Sequence, residues 1–261
     1  MSTRTSPWPA GVPCWADLSA PDLDAAKRFY ADVLGWSFTG GGPEYGGYLT
    51  AHVDGAATAG MAPHEPGRPP TWTLYLASDD ADATAAAVAQ HGGTVHAEPF
   101  DVGPLGRMCI AADPTGAVFG VWQAGEHIGA GLVNEPGGLT WEDLRSPDPA
   151  AARAFYANVF GYAYESLPDA GADYAMFASG EGEPPLGGMG GLMGAEGPHW
   201  LVYFAVADMA SAVTAAERAG GAVAVRDFDT PYGRMAGLTD PGGAAFWVVE
   251  NDGSDQPDRG D

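Results

Sequence analysis

The sequence predicts an α+β fold made of two copies of one small domain in tandem, each copy holding two βαβββ modules. Three observations carry this. The chain has 261 residues, 46% hydrophobic and 11% aromatic, enough for two ordinary cores. Its second half repeats its first almost throughout. Within each half, strand and helix periodicities follow one another in the same order twice.

The repeat is explicit. WADLSAPDLDAAKRFYADVLGW from Trp15 lies over WEDLRSPDPAAARAFYANVFGY from Trp141, at an offset of 126, with twelve of 22 positions identical. PTWTLYLASDD lies over PHWLVYFAVAD, where Trp72 and Trp200 differ by 128, and GRMCIAADPTGAVFGVWQ lies over GRMAGLTDPGGAAFWVVE, where Asp113 and Asp240 differ by 127.

The elements of the first half read in order. Trp15 to Ser19 is a short strand. Ser19 and Asp22, with Pro21 between them, give a helix start, and Ala26, Phe29, Tyr30 and Val33 recur at helical spacing until Gly35 closes the helix as a left-handed cap. Tyr45 to Val53 and Ala56 to Met61 read as strands joined by the Asp54-Gly55 turn. A second strand and helix follow, Trp72 to Ala77 and then Asp80 to Gln90, the latter stopped by Gly92-Gly93. Strands near Thr94 to His96, Arg107 to Ala112 and Val118 to Gln123 complete the half. The domains are accordingly 1–125 and 139–251, joined by a Gly- and Pro-rich linker over 126–138. His127 reads as a loop residue of that linker, and 252–261 as a polar, charged tail expected to fray.

With 11 basic against 34 acidic residues the net charge is −23, which repels nucleic-acid phosphates and anionic membranes and favours neutral or cationic ligands. Cys14 and Cys109 stand too far apart in sequence to suggest a zinc cluster or a disulfide framework. The N-terminal stretch has no apolar core and no segment reaches membrane-span length, so the expectation is a cytoplasmic protein with reduced thiols. P-loop, dinucleotide, nucleophile-elbow and HExxH motifs are missing.

The helix motifs DLDAAKRFYADVLG and DPAAARAFYANVFG, and the closing strands DPTGAVFGVW and DPGGAAFWVV, resemble those of the glyoxalase, bleomycin-resistance and dioxygenase (vicinal oxygen chelate) superfamily. The resemblance covers nearly the whole chain. It implies that each pair of modules curls into a cupped, incomplete barrel with its helices outside. Tandem members with this closing pattern are catalogued as hydroxylases or glyoxalase-like proteins. Metal-using members hold one divalent ion in the cup through four His, Glu or Gln side chains. Counting from the motifs puts those slots at Trp15 and Gly120 and near Met61 and Thr73 in the first half, and at Trp141 and Trp247 and near Met189 and Leu201 in the second. None is a ligand type for a hard cation, since indole nitrogen only donates. His199 lies two residues from a slot, and the other histidines share no strand position with it. No metal and no cofactor is therefore expected, a divalent metal being the remote alternative.

Period-two alternation from those slots turns Trp15 and Asp17, and their repeats Trp141 and Asp143, into the cups. Val118, Gly120 and Trp122 face in on one closing strand and Ala245, Trp247 and Val249 on the other, leaving Phe119, Val121, Phe246 and Val248 to the core. The ligand-binding candidates are Trp15, Asp17, Trp72, Trp122, Trp141, Asp143, Trp200, Trp247, Arg107 and Arg234. The tryptophans either line a site or plug it. Asp17 and Asp143 are either strand-end residues bonded to backbone near Ser19 and Arg145, or carboxylates placed for a cation or for general base work. Arg107 and Arg234 either clamp a ligand anion or brace the acidic turns at Asp113 and Asp240. Tyr75, Tyr203 and Tyr232 fit core or cup. The expected function is metal-independent binding of a small aromatic or cationic compound by a monomer, with no nucleic-acid or membrane partner. The alternatives are a metal-dependent glyoxalase or dioxygenase, acid–base or hydroxylation-assisting chemistry at Asp17 or Asp143, and a structural role with both cups plugged.

Overall fold

A computed structural model describes residues 3–64, 67 and 69–251. The tail beyond 251 lies outside them.

In the first half, β1 (Pro13–Ala20) leads to α1 (Leu23–Leu34), then β2 (Ser37–Gly40), β3 (Leu49–Val53) and β4 (Ala56–Pro63). The second module is β5 (Thr71–Ala77), α2 (Ala81–Gln90), β6 (Thr94–Asp101), β7 (Gly106–Ala112) and β8 (Val118–Ala124). The second half repeats this as β9 (Leu139–Arg145), α3 (Pro149–Phe160), β10 (Ala163–Ser166), β11 (Ala175–Ala178) and β12 (Gly187–Gly190). It closes with β13 (His199–Val206), α4 (Met209–Arg218), β14 (Ala222–Thr230), β15 (Gly233–Thr239) and β16 (Ala245–Glu250). Each half is one eight-stranded mixed sheet, ordered β2-β3-β4-β1-β5-β8-β7-β6 and β10-β11-β12-β9-β13-β16-β15-β14. Modules therefore pair within a half, through the antiparallel β1–β5 and β9–β13 ladders, and neither sheet closes on itself.

Local chemistry sets the helix ends. Asp22, Asp80, Asp148 and Asp208 are the N-caps, each accepting from the backbone N–H three residues on. Asp22 alone starts α1, because Ser19 still belongs to β1. Gly35 and Gly161 end α1 and α3 with φ of 72° and 75°, as a left-handed cap requires. The strand expected over Tyr45 to Val53 begins only at Leu49, because Pro43–Tyr45 forms a 3-10 turn closed by Gly46. β2 and β10 are four residues long, mostly exposed and without strong alternation, so they left no pattern in the sequence.

The two halves join by reciprocal contacts. Phe29 and Tyr30 of α1 pack on Phe246 of β16, while Phe155 and Tyr156 of α3 pack on Phe119 of β8. Trp36 Nε1 donates to Gly137 O at the threshold of β9, and Tyr162 Oη donates to Gly11 O at the threshold of β1. The linker is held as well: Gly131 N donates to Ala57 O, Ala130 N to Cys14 O, and Trp8 Nε1 to Ala130 O. The helices and the aromatic core thus lie on one face of each sheet, leaving the other face free for a site.

Candidate functional site

The helix-free face of the first sheet is fixed by register. Trp15 and Asp17 of β1 stand opposite Tyr75 and Thr73 of β5, Asp17 stands beside Gly60 of β4, and Tyr75 beside Gly120 of β8. Tyr48, just before β3, reaches into this group. Its hydroxyl accepts from Trp15 Nε1 at 2.9 Å and donates to Asp17 Oδ2 at 3.5 Å. Tyr75 is the second phenol hydrogen-bonded to Asp17. The phenols need glycines to fit: a Cβ on Gly60 would overlap the Tyr48 hydroxyl, and one on Gly120 would overlap the Tyr75 ring.

The second sheet repeats the constellation with tighter bonds. Asp143 accepts from Tyr174 Oη at 2.7 Å, Tyr203 Oη at 2.7 Å and Trp141 Nε1 at 3.0 Å. Arg145 adds an ion pair, Nη2 to Oδ2 at 2.7 Å, with its guanidinium over the Tyr174 ring. A Cβ on Gly188 would overlap the Tyr174 hydroxyl. Trp247 stands where the first half has Gly120 and stacks on Tyr203, while Trp141 stacks on exposed Tyr232.

The electrostatics of the two cups differ. Burial raises the Asp17 carboxyl to about 6, against the lowering effect of the two phenols. Burial and the adjacent carboxylate push Tyr48, Tyr75, Tyr174 and Tyr203 upward, so all four stay protonated donors. Burial opposes the charge on Arg145, yet Asp143 and the phenols around it hold its pKa raised. His127 meets Trp15 edge-on at 4.4 Å, and its carbonyl accepts from Trp122 Nε1 at 2.8 Å. Burial, with a contribution from His52, lowers His127 to about 4 and keeps it neutral. The linker histidine is therefore part of the first cup's wall.

Of the residues singled out from sequence, Trp15, Asp17, Trp122, Trp141, Asp143 and Trp247 meet in the cups. Tyr75 and Tyr203 join them. Neither aspartate relies on strand-end backbone; phenols hold both. Four assignments need correction. Trp72 Nε1 donates to Tyr30 Oη and its ring packs on Phe204 in the core between the halves. Trp200 Nε1 donates to Tyr156 Oη and packs on Phe177. Both neighbour an inward position, Thr73 or Leu201, so strand alternation turns them outward to the helices. Arg107 binds Asp82 and Asp101 on the helix side, and Arg234 pairs with Asp227. Neither guanidinium clamps a cup ligand or braces Asp113 or Asp240. Asp113 closes its own turn through Thr115 and Ala117, and Asp240 through Ala244.

The slots expected near Met61 and Met189 fall on the glycines just before them. Met61 pairs with Leu18 and is fully buried, so Gly60 faces the cup; likewise Met189 pairs with Leu144 and Gly188 faces the cup. The corrected donor sets are Trp15, Gly60, Thr73 and Gly120, and Trp141, Gly188, Leu201 and Trp247, neither of which offers imidazole or carboxylate to a divalent ion. Among the described residues no cluster of three His, Cys, Asp or Glu has metal-holding geometry. His199 takes a cup-facing position opposite Arg145, with Nδ1 bonded to Gly197 O at 2.8 Å. Tyr48, Tyr174 and Arg145 went unnoticed in the sequence. For the two phenols the signal was the repeat itself, which aligns Tyr48 with Tyr174 and places a Gly-Met pair at both Gly60 and Gly188; Arg145, aligned with Ser19, had no such signal.

Two surface clefts lie apart from the cups. One of about 260 Å³ borders Leu34, Gly137, Ala205 and Asp208, and one of about 500 Å³ borders Asp82, Ala86 and Glu98. Both cysteines are buried free thiols. Among the described residues no helix is long and apolar enough to cross a membrane.

This architecture defines a class, and comparison agrees: the chain belongs to the Glyoxalase/Bleomycin resistance protein/Dioxygenase superfamily, whose profile matches residues 15–121 and again 138–248. It is 42% identical over 262 residues to CFP32 of Mycobacterium tuberculosis, provisionally named a glyoxylase, covering 95% of this chain and 97% of that one. It is 40% identical to the anthracycline biosynthesis protein DnrV of Streptomyces peucetius, covering 95% of each. The Mn(II)-bound glyoxalase of Novosphingobium aromaticivorans shares the fold, with a TM-score of 0.67 at 19% identity over 95% of this chain and 86% of that one.

Proposed function

We propose that this protein binds a small aromatic compound without a metal, using the cups that its superfamily uses for metal chemistry. One observation carries the reading: at the family's ligand slots the halves place only indole, glycine, Thr73 and Leu201, and beside them a carboxylate held by two phenols. Apolar walls with a few convergent polar groups suit a small organic guest. The half-buried rings of Trp141 and Trp247 and exposed Tyr232 give the second cup stacking surfaces. DnrV is named for anthracycline biosynthesis, so an anthracycline is the guest class to try first. Each half pairs its own two modules into a cup, so a monomer suffices. The test is a titration of tryptophan fluorescence with anthracyclines and simpler planar aromatics, before and after exhaustive chelation. A saturable response that chelation leaves intact is expected. No response, or a response restored only by a divalent ion, overturns the reading.

A second reading, acid–base chemistry on the bound guest, is favoured by Asp17, whose raised carboxyl sits between two protonated phenols. It predicts that D17N retains the guest but loses its turnover.

A further inference from the structure

The two cups share their carboxylate, their two phenols and the tryptophan two residues before the carboxylate, and they differ beside that carboxylate. The strand residue two positions after Asp143 is Arg145, and two positions after Asp17 it is Ser19. Arg145 lies on the second cup's floor, its guanidinium paired to Asp143 Oδ2 at 2.7 Å and set over the Tyr174 ring at 5.9 Å. It leaves Asp143 only 3% exposed. In the first half the Ser19 hydroxyl turns to His64 Nδ1 at 3.2 Å. Asp17 remains half-buried rather than sealed, and among the described residues no lysine or arginine pairs with it. The phenol bonded to Asp17 that corresponds to Tyr174 is Tyr48.

We propose that the first cup is a site for a small organic cation, whose ammonium or guanidinium group takes beside Asp17 the place that Arg145 takes beside Asp143. The second cup carries its own cation covalently and is saturated toward such a guest. The chain thereby contains the template for its own ligand: a carboxylate acceptor, two hydroxyls bonded to it, and a phenol ring positioned for cation–π contact. The apolar part of the guest lies against Trp15, His127 and Trp122, which already pack edge to face. The net charge of −23 draws cations toward the site. This assignment rests on the aromatic-guest reading and names the chemical class for one of its two cups.

The experiment uses the full chain with benzylamine, cationic at neutral pH, and benzyl alcohol, its neutral counterpart, followed by calorimetry and tryptophan fluorescence. Benzylamine is expected to bind one to one and roughly tenfold or more tightly than the alcohol, the difference a charge-assisted hydrogen bond makes. S19R, which gives the first half the second half's residue, is expected to weaken benzylamine at least about tenfold. R145S is expected to open a second cation site, beside Asp143. Equal affinity for the two probes, or unchanged affinity in a cooperatively melting S19R chain, overturns the cation assignment and leaves the aromatic-guest reading standing. Stoichiometry that stays at one in a folded R145S chain overturns the template argument. Binding of neither probe overturns both readings.

Discussion

Replacing Asp17 by asparagine gives the sharpest energetic test of the first cup. The folded carboxyl sits at about 6 against an ordinary 3.8, raised by burial. An acid that is harder to ionise folded than unfolded stabilises the fold fully below the unfolded value, and that contribution is lost as pH rises through the folded one. At about 1.36 kcal/mol per unit, the whole loss is about 3 kcal/mol. Roughly half of it falls above pH 5, where a chain with an isoelectric point near 4.2 is still anionic. Between pH 5 and pH 8 the wild type should therefore lose about 1.4 kcal/mol relative to D17N, and about 1 once screening at a half-buried site is allowed for. The amide introduced by D17N keeps an acceptor for Tyr48 and Tyr75 and does not titrate. Urea denaturation of both chains at the two pH values, with matched m-values, measures the difference, in which all other titrating groups cancel. A stability gap independent of pH, or one that moves in favour of the wild type as pH rises, refutes the reasoning.

Three further outcomes follow from the same geometry. D143N should destabilise by about 3 to 5 kcal/mol in urea denaturation, because it strands the buried Arg145 guanidinium. G60A should displace the Tyr48 phenol, whose hydroxyl the new methyl would overlap, at a cost of about 1 to 3 kcal/mol and with a changed Trp15 emission. W72F should cost about 1 to 2 kcal/mol through the lost bond to Tyr30 and poorer packing on Phe204, while guest affinity stays unchanged; a selective loss of binding would return Trp72 to the cup.

The fold was legible because its signals are local and doubled. Asp caps, Gly35 and the Phe29-Tyr30 pair each announce α1, and the second half repeats them at Asp148, Gly161 and Phe155-Tyr156. Closing-strand parity was legible as well, since Phe119 and Phe246 do pack on helices. Those helices belong to the opposite half, and no local pattern encodes a contact across the halves, whether Phe119 with Tyr156 or Tyr30 with Phe246. The site was half legible. Trp15 and Asp17 followed from alternation, but Tyr48 enters from a segment outside regular strand, where no period applies. Trp72 was misassigned because its kinship with Trp200 suggested function, although its place next to Thr73 already turned it away from the cup. Arg107 illustrates the limit of paired motifs: Gly-Arg-Met recurs because each arginine closes an acidic surface network.

The decisive issue is whether the cups are sites or merely plugged core, and the cost of their carboxylates bears on it. A plugged cup is most stable with apolar side chains, since a partly desolvated carboxylate costs stability unless bonds and a counter-charge offset the loss. The second half meets that cost within itself, through two phenols, an indole and Arg145. The first half retains Asp17 with the phenols alone, and burial raises its carboxyl accordingly. It also keeps Gly60 and Gly120, whose missing side chains are what allow Tyr48 and Tyr75 to approach. Those features hold a destabilising group in place where an apolar residue would serve a plug better. If stability alone governed the first cup, D17L together with Y48F and Y75F would stabilise the fold at pH 8 with no loss of guest binding. The ligand reading requires that gain in stability to abolish binding of the cationic probe.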